Sequence, residues 1–367
     1  MAVVGAGPGG IAAVRRLKEC AGEDVNVLLF EREPWVEYLP GTIPVFLGKT
    51  PREHWRQVLS LGDVEINIGE VEEVSGDRVR LNGETHEADA VIASPGLVLD
   101  YQQVPDAPNV RAFWDPAGAE AASNAARDFQ AGTVAVIVSS LPYRCPPAPF
   151  GMAMELADYY QGERRNVRVV LTTPEDTPLA AIGGGVPEFL EDSCAAAGVE
   201  LVTGFDPELA GLGEGRLTSA QSVAIDCDIA FVIPAHVRSP IFAGLPGQGP
   251  LVEVSPRFES VDSGLFVVGD AARVPLPRAA EAAASEGRTA ADTVLEGLGL
   301  SVEQGLHLPE PECYVGHGGG DFSRISLRYP GGLPPRGRPE VKIEGPSKGF
   351  AAGFEGSFNR WRELRGG

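Results

Sequence analysis

Three glycines at the start of the chain restrict its fold more than any other feature of the sequence. Gly5, Gly7 and Gly10 follow a short apolar stretch, and a helical pattern runs from Ile11 to Cys20. This is the order of the dinucleotide-binding fingerprint. The first glycine permits a tight turn, the second lets backbone approach a pyrophosphate, and the third lets the helix lie close to the strand. The sequence therefore predicts that the chain begins with a βαβ unit.

A second strand and an acidic residue extend this pattern. The apolar stretch from Val25 to Phe30 is followed by Glu31, about twenty residues after Gly10. In this fingerprint, a carboxylate at that distance accepts hydrogen bonds from the hydroxyls of an adenosine ribose. A glycine-rich turn beside a surface glutamate is the simpler alternative, but it does not explain why strand, turn, helix, strand and acid follow one another.

Size, charge and cysteine content limit the classes of function. The chain has 367 residues, 43% of them hydrophobic, so it can bury the cores of two or three domains. A formal net charge of −21 disfavours nucleic acid and anionic membranes as partners. Because the start lacks a signal-peptide pattern and no apolar run reaches transmembrane length, we expect a cytoplasmic protein. The five cysteines and five histidines are scattered, so neither a disulfide scaffold nor a metal site is expected.

Two later segments resemble elements of flavoproteins that contain two dinucleotide-binding domains. The segment Asp89–Gly96 reads as a strand followed by a turn of small residues. It resembles the point at which such chains leave the FAD domain, and this implies that Ala93 and Gly96 lie at the cofactor.

The segment Ser263–Ala272 resembles the second FAD fingerprint of the same proteins. The resemblance implies that Asp270, directly after Gly269, binds the ribityl chain of FAD. An ordinary helix N-cap is the alternative role for Asp270, because the alanine-rich stretch Ala279–Leu298 is predicted to be helical. Together with the first fingerprint, these segments imply that the cofactor is FAD.

A second α/β pattern lies between the FAD segments. Its first strand, Thr133–Val138, leads into Ser139–Phe150, where bulky residues and prolines replace the glycines of a nucleotide-binding turn. These residues would block a pyrophosphate and remove backbone donors, so NADH and NADPH are not expected to be efficient reductants. The pattern continues with a predicted helix at 151–160 and predicted strands at 167–171, 199–203 and 226–234.

We therefore predict an α/β protein with two Rossmann-like dinucleotide-binding domains and a small C-terminal segment. The FAD domain is discontinuous, over residues 1–104 and 243–306, and the inserted domain without a glycine fingerprint covers residues 105–242. Residues 307–367 form a C-terminal interface segment. Within it, residues 330–346 are rich in proline and glycine and are predicted to be extended or a loop.

Two cysteine segments carry a more specific resemblance. The segment Pro142–Phe150 resembles the cysteine segment of flavocytochrome c sulfide dehydrogenases and of sulfide:quinone oxidoreductase-like flavoproteins, and Pro311–Gly320 resembles their second cysteine segment. The resemblance extends from Met1 to about Tyr329. It implies that Cys145 and Cys313 are a redox-active pair beside the flavin, which oxidises sulfide, a persulfide or a thiol. A quinone or another acceptor, such as a protein, would receive the electrons.

Several alternatives stay open from the sequence. The family suggests Cys313 for the flavin contact and Cys145 for the persulfide, but the sequence does not fix this order. Both cysteines are alternatively small buried hydrophobic residues without a redox role. The alternative functions are an FAD oxidoreductase acting on a different small molecule and a non-catalytic FAD-binding interaction protein.

Three polar residues near these segments have two interpretations each. Arg278 would stabilise the negative charge of a reduced flavin, or it is a surface arginine paired with Glu281. His236 and His317 are candidates for proton transfer at neutral pH, or they are structural.

An aromatic stripe marks the end of the chain. The spacing of Phe350, Phe354, Phe358 and Trp361 places these side chains on one face of a helix. Packing against the core or in a homodimer is the favoured interpretation, and contact with a membrane or a quinone is the alternative.

Overall fold

The computed structural model describes residues 1–302 and 307–366, so residue 306, the predicted end of the second FAD-domain segment, and residue 367 lie outside the described residues. The helices are α1 (Pro8–Ala21), α2 (Thr42–Phe46), α3 (Pro116–Asp128), α4 (Ala148–Gly162), α5 (Val186–Ala196), α6 (Ala280–Gly297) and α7 (Ala351–Glu363). The first strands are β1 (Ala2–Val4), β2 (Leu28–Glu31), β3 (Trp35–Glu37), β4 (Arg56–Val58), β5 (Glu65–Ile68), β6 (Val71–Ser75), β7 (Arg78–Leu81), β8 (Glu84–Glu87), β9 (Val91–Ala93) and β10 (Val98–Asp100). The others are β11 (Val110–Ala112), β12 (Ala131–Val138), β13 (Asn166–Thr172), β14 (Val199–Val202), β15 (Pro207–Glu208), β16 (Arg216–Ser219), β17 (Ala224–Asp226), β18 (Ile229–Ile233), β19 (Ala235–Val237), β20 (Gly247–Gln248), β21 (Leu251–Val252), β22 (Leu265–Val267), β23 (Glu312–Gly318), β24 (Asp321–Arg328) and β25 (Glu340–Ser347).

The first sheet contains five parallel strands in the order β22-β9-β1-β2-β5. In the central strand β1, Val3 is paired with Leu29 of β2 and with Ile92 of β9. Helices α1 and α6 pack against each other on one face of this sheet. The antiparallel sheet β6-β7-β8 covers the other face. Because β22 joins strands from the first hundred residues, the sheet is built from two distant parts of the chain.

The second sheet also contains five parallel strands, in the order β11-β18-β12-β13-β14. All five lie between residues 110 and 233, within the range predicted for the insert. The chain passes between the two sheets at the antiparallel pair β10 and β19, where Leu99 is paired with His236. The structure is thus the predicted α/β fold with two Rossmann-like sheets.

The C-terminal segment forms the antiparallel sheet β23-β24-β25, which packs on α4 of the insert. The approach is close, because a Cβ atom on Gly151 would lie 3.0 Å from the backbone nitrogen of Gly316. Residues 330–346 are predicted to be extended or a loop, and the residues from Glu340 onwards are extended and paired with β24 as an edge strand. Pro346 is tolerated because an edge strand leaves one side of its backbone unpaired. The pairing with β24 that makes this segment a strand cannot be recognised from the residues of the segment alone.

The aromatic stripe packs inside the chain. Phe358 is 2% exposed, and its ring lies 5.3 Å from Tyr38 and 4.8 Å from Trp55, measured between centroids. Trp361 also contacts the Tyr38 ring, at 5.5 Å. The stripe therefore fixes α7 against the residues that follow β2. In the part of the chain that the structure describes, no helix is both long enough and apolar enough to cross a membrane.

Candidate functional site

The turn between β1 and α1 has the geometry that its glycines predict. Gly5 adopts φ +89°, and its N–H donates to the Phe30 carbonyl at 2.8 Å. A Cβ atom on Gly10 would lie only 1.8 Å from the Gly5 carbonyl oxygen, so no side chain fits there. Gly7 is the N-cap of α1 and makes no side-chain capping hydrogen bond. The N-terminus of α1 is therefore open to an anion.

Glu31 lies at the end of β2, beside this turn. Its Oε2 accepts a hydrogen bond from the Ala6 N–H at 2.6 Å, and its Oε1 accepts one from the Arg32 N–H at 2.8 Å. These two bonds hold the carboxylate next to the glycine turn. Each carboxylate oxygen can accept a further hydrogen bond, as a ribose hydroxyl would require.

The other predicted cofactor segments end at the same edge of the first sheet. The Val268 N–H donates to the Ala93 carbonyl at 3.0 Å, and the next residue, Gly269, opens a 3-10 turn. Gly96 adopts φ +72° in the turn after β9. The structure therefore brings the segments of Gly5, Ala93 and Gly269 together.

Residues that the sequence analysis did not single out complete this edge. A Cβ atom on Gly9 would lie 2.7 Å from the Ser94 hydroxyl oxygen, and one on Gly287 of α6 would lie 2.0 Å from the Gly9 carbonyl oxygen. The glycine turn, β9 and α6 thus meet without side chains between them. Close backbone, an open helix N-terminus and a carboxylate at the end of β2 together fit a dinucleotide.

A cluster of buried charges lies between β22 and α6. Asp270 does not cap α6, because the N-cap of that helix is Ala279, so the alternative role is wrong. Arg278 is buried and faces Asp270 and Glu286, so it is not a surface arginine paired with Glu281. Burial raises the pKa of Asp270 and lowers that of Arg278, and the attraction between the two groups opposes both shifts.

Glu286 belongs to the same cluster and was missed by the sequence analysis. It is 2% exposed, and one of its carboxylate oxygens accepts the Gly269 N–H at 2.6 Å. Burial raises the pKa of Glu286 to about 8, while the Gly269 N–H and Arg278 act in the opposite direction. In the sequence it is one of three glutamates in an alanine-rich helix. Helical periodicity alone gives no reason to bury it.

Cys145 precedes α4, in the segment that replaces a nucleotide-binding turn. It adopts φ +54°, which is uncommon for a residue with a side chain. Its N–H donates to the Arg278 carbonyl and its carbonyl accepts the Ala148 N–H, each at 2.9 Å. These bonds hold Cys145 between the start of α4 and the charge cluster before α6. Burial raises the pKa of its thiol to about 12, although nearby Arg144 lowers it.

Cys313 at the start of β23 packs against the same core cluster as Cys145 and is near enough for that thiol to act on its pKa. Burial raises the pKa of Cys313 well above its usual range, and the neighbouring Cys145 and Glu281 add to this effect. Glu281 lies in the first turn of α6; burial raises the pKa of its carboxylate, and the backbone of Glu312 acts in the opposite direction. Cys145 is therefore attached to residue 278 through its backbone, and the carboxylate of Glu281 lies near both thiols. All five cysteines carry free thiols, so the structure describes the dithiol form of the pair.

His236 has a structural role in this arrangement. It is 3% exposed, its Nδ1 lies 3.1 Å from the Pro234 carbonyl, and its Nε2 accepts the Arg144 N–H at 3.4 Å. Burial, followed by the charge of Arg144, lowers the pKa of His236 to about 3. The ring is neutral at physiological pH and positions Arg144, whose guanidinium also donates to the Trp114 carbonyl. His317 likewise has a pKa lowered by burial.

Side chains fill the turn at which the insert would bind a nucleotide. Tyr143 is buried, and its hydroxyl donates to the Pro146 carbonyl and to a Glu175 carboxylate oxygen, each at 3.1 Å. The packed tyrosine and the prolines leave no glycine turn after β12.

No group of three or more His, Cys, Asp or Glu side chains within residues 1–302 and 307–366 is placed to hold a metal ion.

Comparison with solved structures identifies the fold. The sulfide:quinone oxidoreductase of the hyperthermophilic bacterium Aquifex aeolicus is similar over 99% of this chain and 91% of that chain, with a TM-score of 0.81 and 16% sequence identity. A ferredoxin reductase from Rhodopseudomonas palustris matches 90% of this chain and 82% of that chain, with a TM-score of 0.65 and 16% identity. An NAD-dependent persulfide reductase from A. fulgidus matches 89% of this chain and 63% of that chain, with a TM-score of 0.63 and 16% identity. No protein-family model matches the sequence. The chain thus has the fold of these oxidoreductases.

Proposed function

We propose that this protein is an FAD-dependent oxidoreductase that oxidises sulfide, a persulfide or a thiol through Cys145 and Cys313. A quinone or another acceptor receives the electrons. The observation that carries the proposal is that the two cysteines, far apart in the sequence, lie close together beside the segment that follows the second FAD fingerprint. The hydrogen bond from the Cys145 N–H to the Arg278 carbonyl, together with the Glu281 carboxylate near both thiols, connects the pair to residues 278–281.

The arrangement of the first sheet supports FAD as the cofactor. Gly5, Gly7 and Gly10 would hold the pyrophosphate, and Glu31 would bind the ribose. Asp270 and Arg278 would contact the remainder of the molecule, with Ala93, Gly96 and Gly269 allowing close backbone approach. When bound, FAD would accept an electron pair from the cysteines and transfer it to the acceptor.

The cysteines perform the sulfur chemistry in their disulfide form. Hydrosulfide attacks the sulfur of Cys145, so that a new S–S bond forms there while the bond to Cys313 breaks. The attacking sulfur is oxidised by two electrons, Cys145 becomes a persulfide, and Cys313 leaves as a thiolate. A second hydrosulfide then attacks the outer sulfur of the Cys145 persulfide and leaves as hydrogen disulfide, which returns Cys145 to a thiolate. Removal of two electrons from the two thiolates, which the bound flavin would accept, re-forms the Cys145–Cys313 disulfide for the next turnover.

Glu281 is placed to exchange protons with the thiols of Cys145 and Cys313. Burial raises its pKa, and its carboxylate lies near enough to Cys313 to raise the pKa of that thiol. Because the raised thiol pKa values disfavour thiolates at neutral pH, protons must move when the pair is reduced or reoxidised. A carboxylate near both sulfur atoms can exchange them.

The proposal predicts a specific effect of removing either cysteine. Cys145→Ser and Cys313→Ser should each retain FAD, because the cofactor contacts lie on other residues. The rate of flavin bleaching by sulfide, followed anaerobically in a stopped-flow spectrometer, should fall by at least about a hundredfold. Cys194→Ser is the matched control, because Cys194 is a buried free cysteine of α5 whose substitution should leave the rate unchanged.

Two outcomes would contradict the proposal. A Cys145→Ser protein that reduces its flavin with sulfide at the wild-type rate would exclude the cysteine mechanism. A wild-type flavin that sulfide, persulfide and thiols all leave oxidised would exclude the proposed substrate class. NADH serves as an additional donor in the same assay, and the filled turn at Tyr143 predicts only slow reduction.

A further inference from the structure

Arg365 is a buried cation that the sequence analysis did not consider. Its side chain is 1% exposed, and its guanidinium lies over the Trp361 ring, 4.5 Å from the centroid. Nη1 donates to the Trp361 carbonyl at 3.0 Å, and Nε donates to the Ala6 carbonyl at 3.4 Å. Nη2 is buried and has no hydrogen-bond partner among the residues that the structure describes. The guanidinium thus contacts the turn between Gly5 and Gly7 and keeps the N–H groups of Nη2 unused.

The backbone around Arg365 is held from two sides. Arg15 of α1 donates from Nε to the Leu364 carbonyl at 2.9 Å and from Nη2 to the Glu363 carbonyl at 3.1 Å. On the other side, the Ser60 N–H donates to the Arg365 carbonyl at 2.8 Å. The end of α7 is therefore fastened to α1 and to the residues before β5, which places Arg365 firmly against the glycine turn.

The charge of Arg365 is not balanced within the described residues. No carboxylate in residues 1–302 or 307–366 forms an ion pair with it within the 4.0 Å limit. Burial and the charge of Arg15 lower the pKa of Arg365, and Glu31 acts in the opposite direction. Glu31 accepts hydrogen bonds from the N–H groups of Ala6 and Arg32 and forms none with Arg365. A buried guanidinium with a free donor is costly unless an anion completes it.

We propose that Arg365 binds the pyrophosphate of FAD, so that the C-terminal segment closes the cofactor site. The proposal rests on the proposed function, because it assumes that FAD occupies the glycine turn. The anion that this turn would hold is a pyrophosphate at the N-terminus of α1. A planar guanidinium with a free N–H adjacent to that turn is suited to phosphate oxygens.

The test is a titration of the flavin-free full-length chain with FAD, followed by quenching of flavin fluorescence. Arg365→Met keeps an apolar side chain on Trp361 and removes the donors, and it should weaken FAD binding about ten- to hundredfold. Arg365→Lys, which keeps the charge but loses the planar donors, should lie between Met and wild type. Arg362→Met is the control from the last turn of α7. Arg362 is exposed and lies over the Phe358 ring, so its replacement should change the affinity less than twofold.

Thermal melting of the flavin-free proteins separates this role from a structural one. Since an unpaired buried cation is costly, Arg365→Met should melt at the wild-type temperature or above it without FAD. The proposal is overturned if this variant binds FAD as tightly as wild type, or if it loses flavin-free stability and affinity together. A wild-type chain that binds no FAD would overturn the proposed function as well, whereas a failure confined to the Arg365 comparison would leave that function intact.

Discussion

The pKa of Glu286 leads to a prediction about the pH dependence of stability. Its value of about 8 in the folded protein lies above the ordinary glutamate value of 4.5. Between these two values, the folded state keeps a proton that the unfolded state has lost. The stabilisation is therefore complete below about pH 4.5 and disappears as the pH rises through 8. The free energy of unfolding should fall by about 1.4 kcal/mol per pH unit in the middle of this window and by less near pH 8, where the group titrates. The total decrease between pH 6 and pH 8 is then roughly 2 kcal/mol.

Urea denaturation at several pH values, followed by circular dichroism, measures this effect. In Glu286→Gln, the amide oxygen can still accept the Gly269 N–H, but the side chain no longer titrates. The decrease between pH 6 and 8 should then be smaller by about 2 kcal/mol. Glu84→Gln is the control, because Glu84 lies exposed on β8 and its replacement should leave the pH dependence unchanged. If Glu286→Gln shows the wild-type pH dependence, our assignment of the buried proton is wrong.

Three further predictions follow from buried contacts. Because the pKa of His236 is about 3 in the folded protein and 6.5 ordinarily, wild-type stability should fall as the pH drops from 6.5 towards 3, and His236→Gln should reduce this slope in urea titrations. Gly287→Ala should cost about 1–3 kcal/mol of stability and weaken FAD binding, since its Cβ would lie 2.0 Å from the Gly9 carbonyl, whereas Gly297→Ala, with no atom within 4 Å, should do neither. The buried side chain of Phe358 predicts that the protein does not co-sediment with liposomes at physiological salt, and quantitative sedimentation would contradict this.

The parallel sheets could be predicted because their signals are local. The strand that ends at Phe30 and the helix after Gly10 each depend on apolar residues a few positions apart. The structure places β2 at Leu28–Glu31 and α1 at Pro8–Ala21, within a few residues of the expectation. The C-terminal sheet was harder to predict from the sequence, because β25 begins within a proline- and glycine-rich stretch and is stabilised by pairing with β24.

Parts of the candidate site depend on contacts that local patterns do not contain. Cys145 and Cys313 were identified by their sequence motifs, but the carboxylate that lies close to both, Glu281, is an ordinary residue in a helical pattern. Arg365 reaches the glycine turn from the opposite end of the chain, so neither spacing nor periodicity relates the two. In each case, burial changes the chemistry of a residue that the sequence would place on the surface.

The segment from Gly269 to Glu286 connects the two halves of the proposed chemistry. Its first residues lie at the edge of the sheet where FAD would bind, and the carbonyl of Arg278 accepts the N–H of Cys145. The carboxylates of Asp270 and Glu281 both raise the pKa of the Cys145 thiol. A change of charge at Asp270 or Glu281 therefore alters the protonation of the Cys145 thiol directly. For this reason, the redox state of the cofactor and the reactivity of the cysteines should depend on each other even without a movement of the backbone.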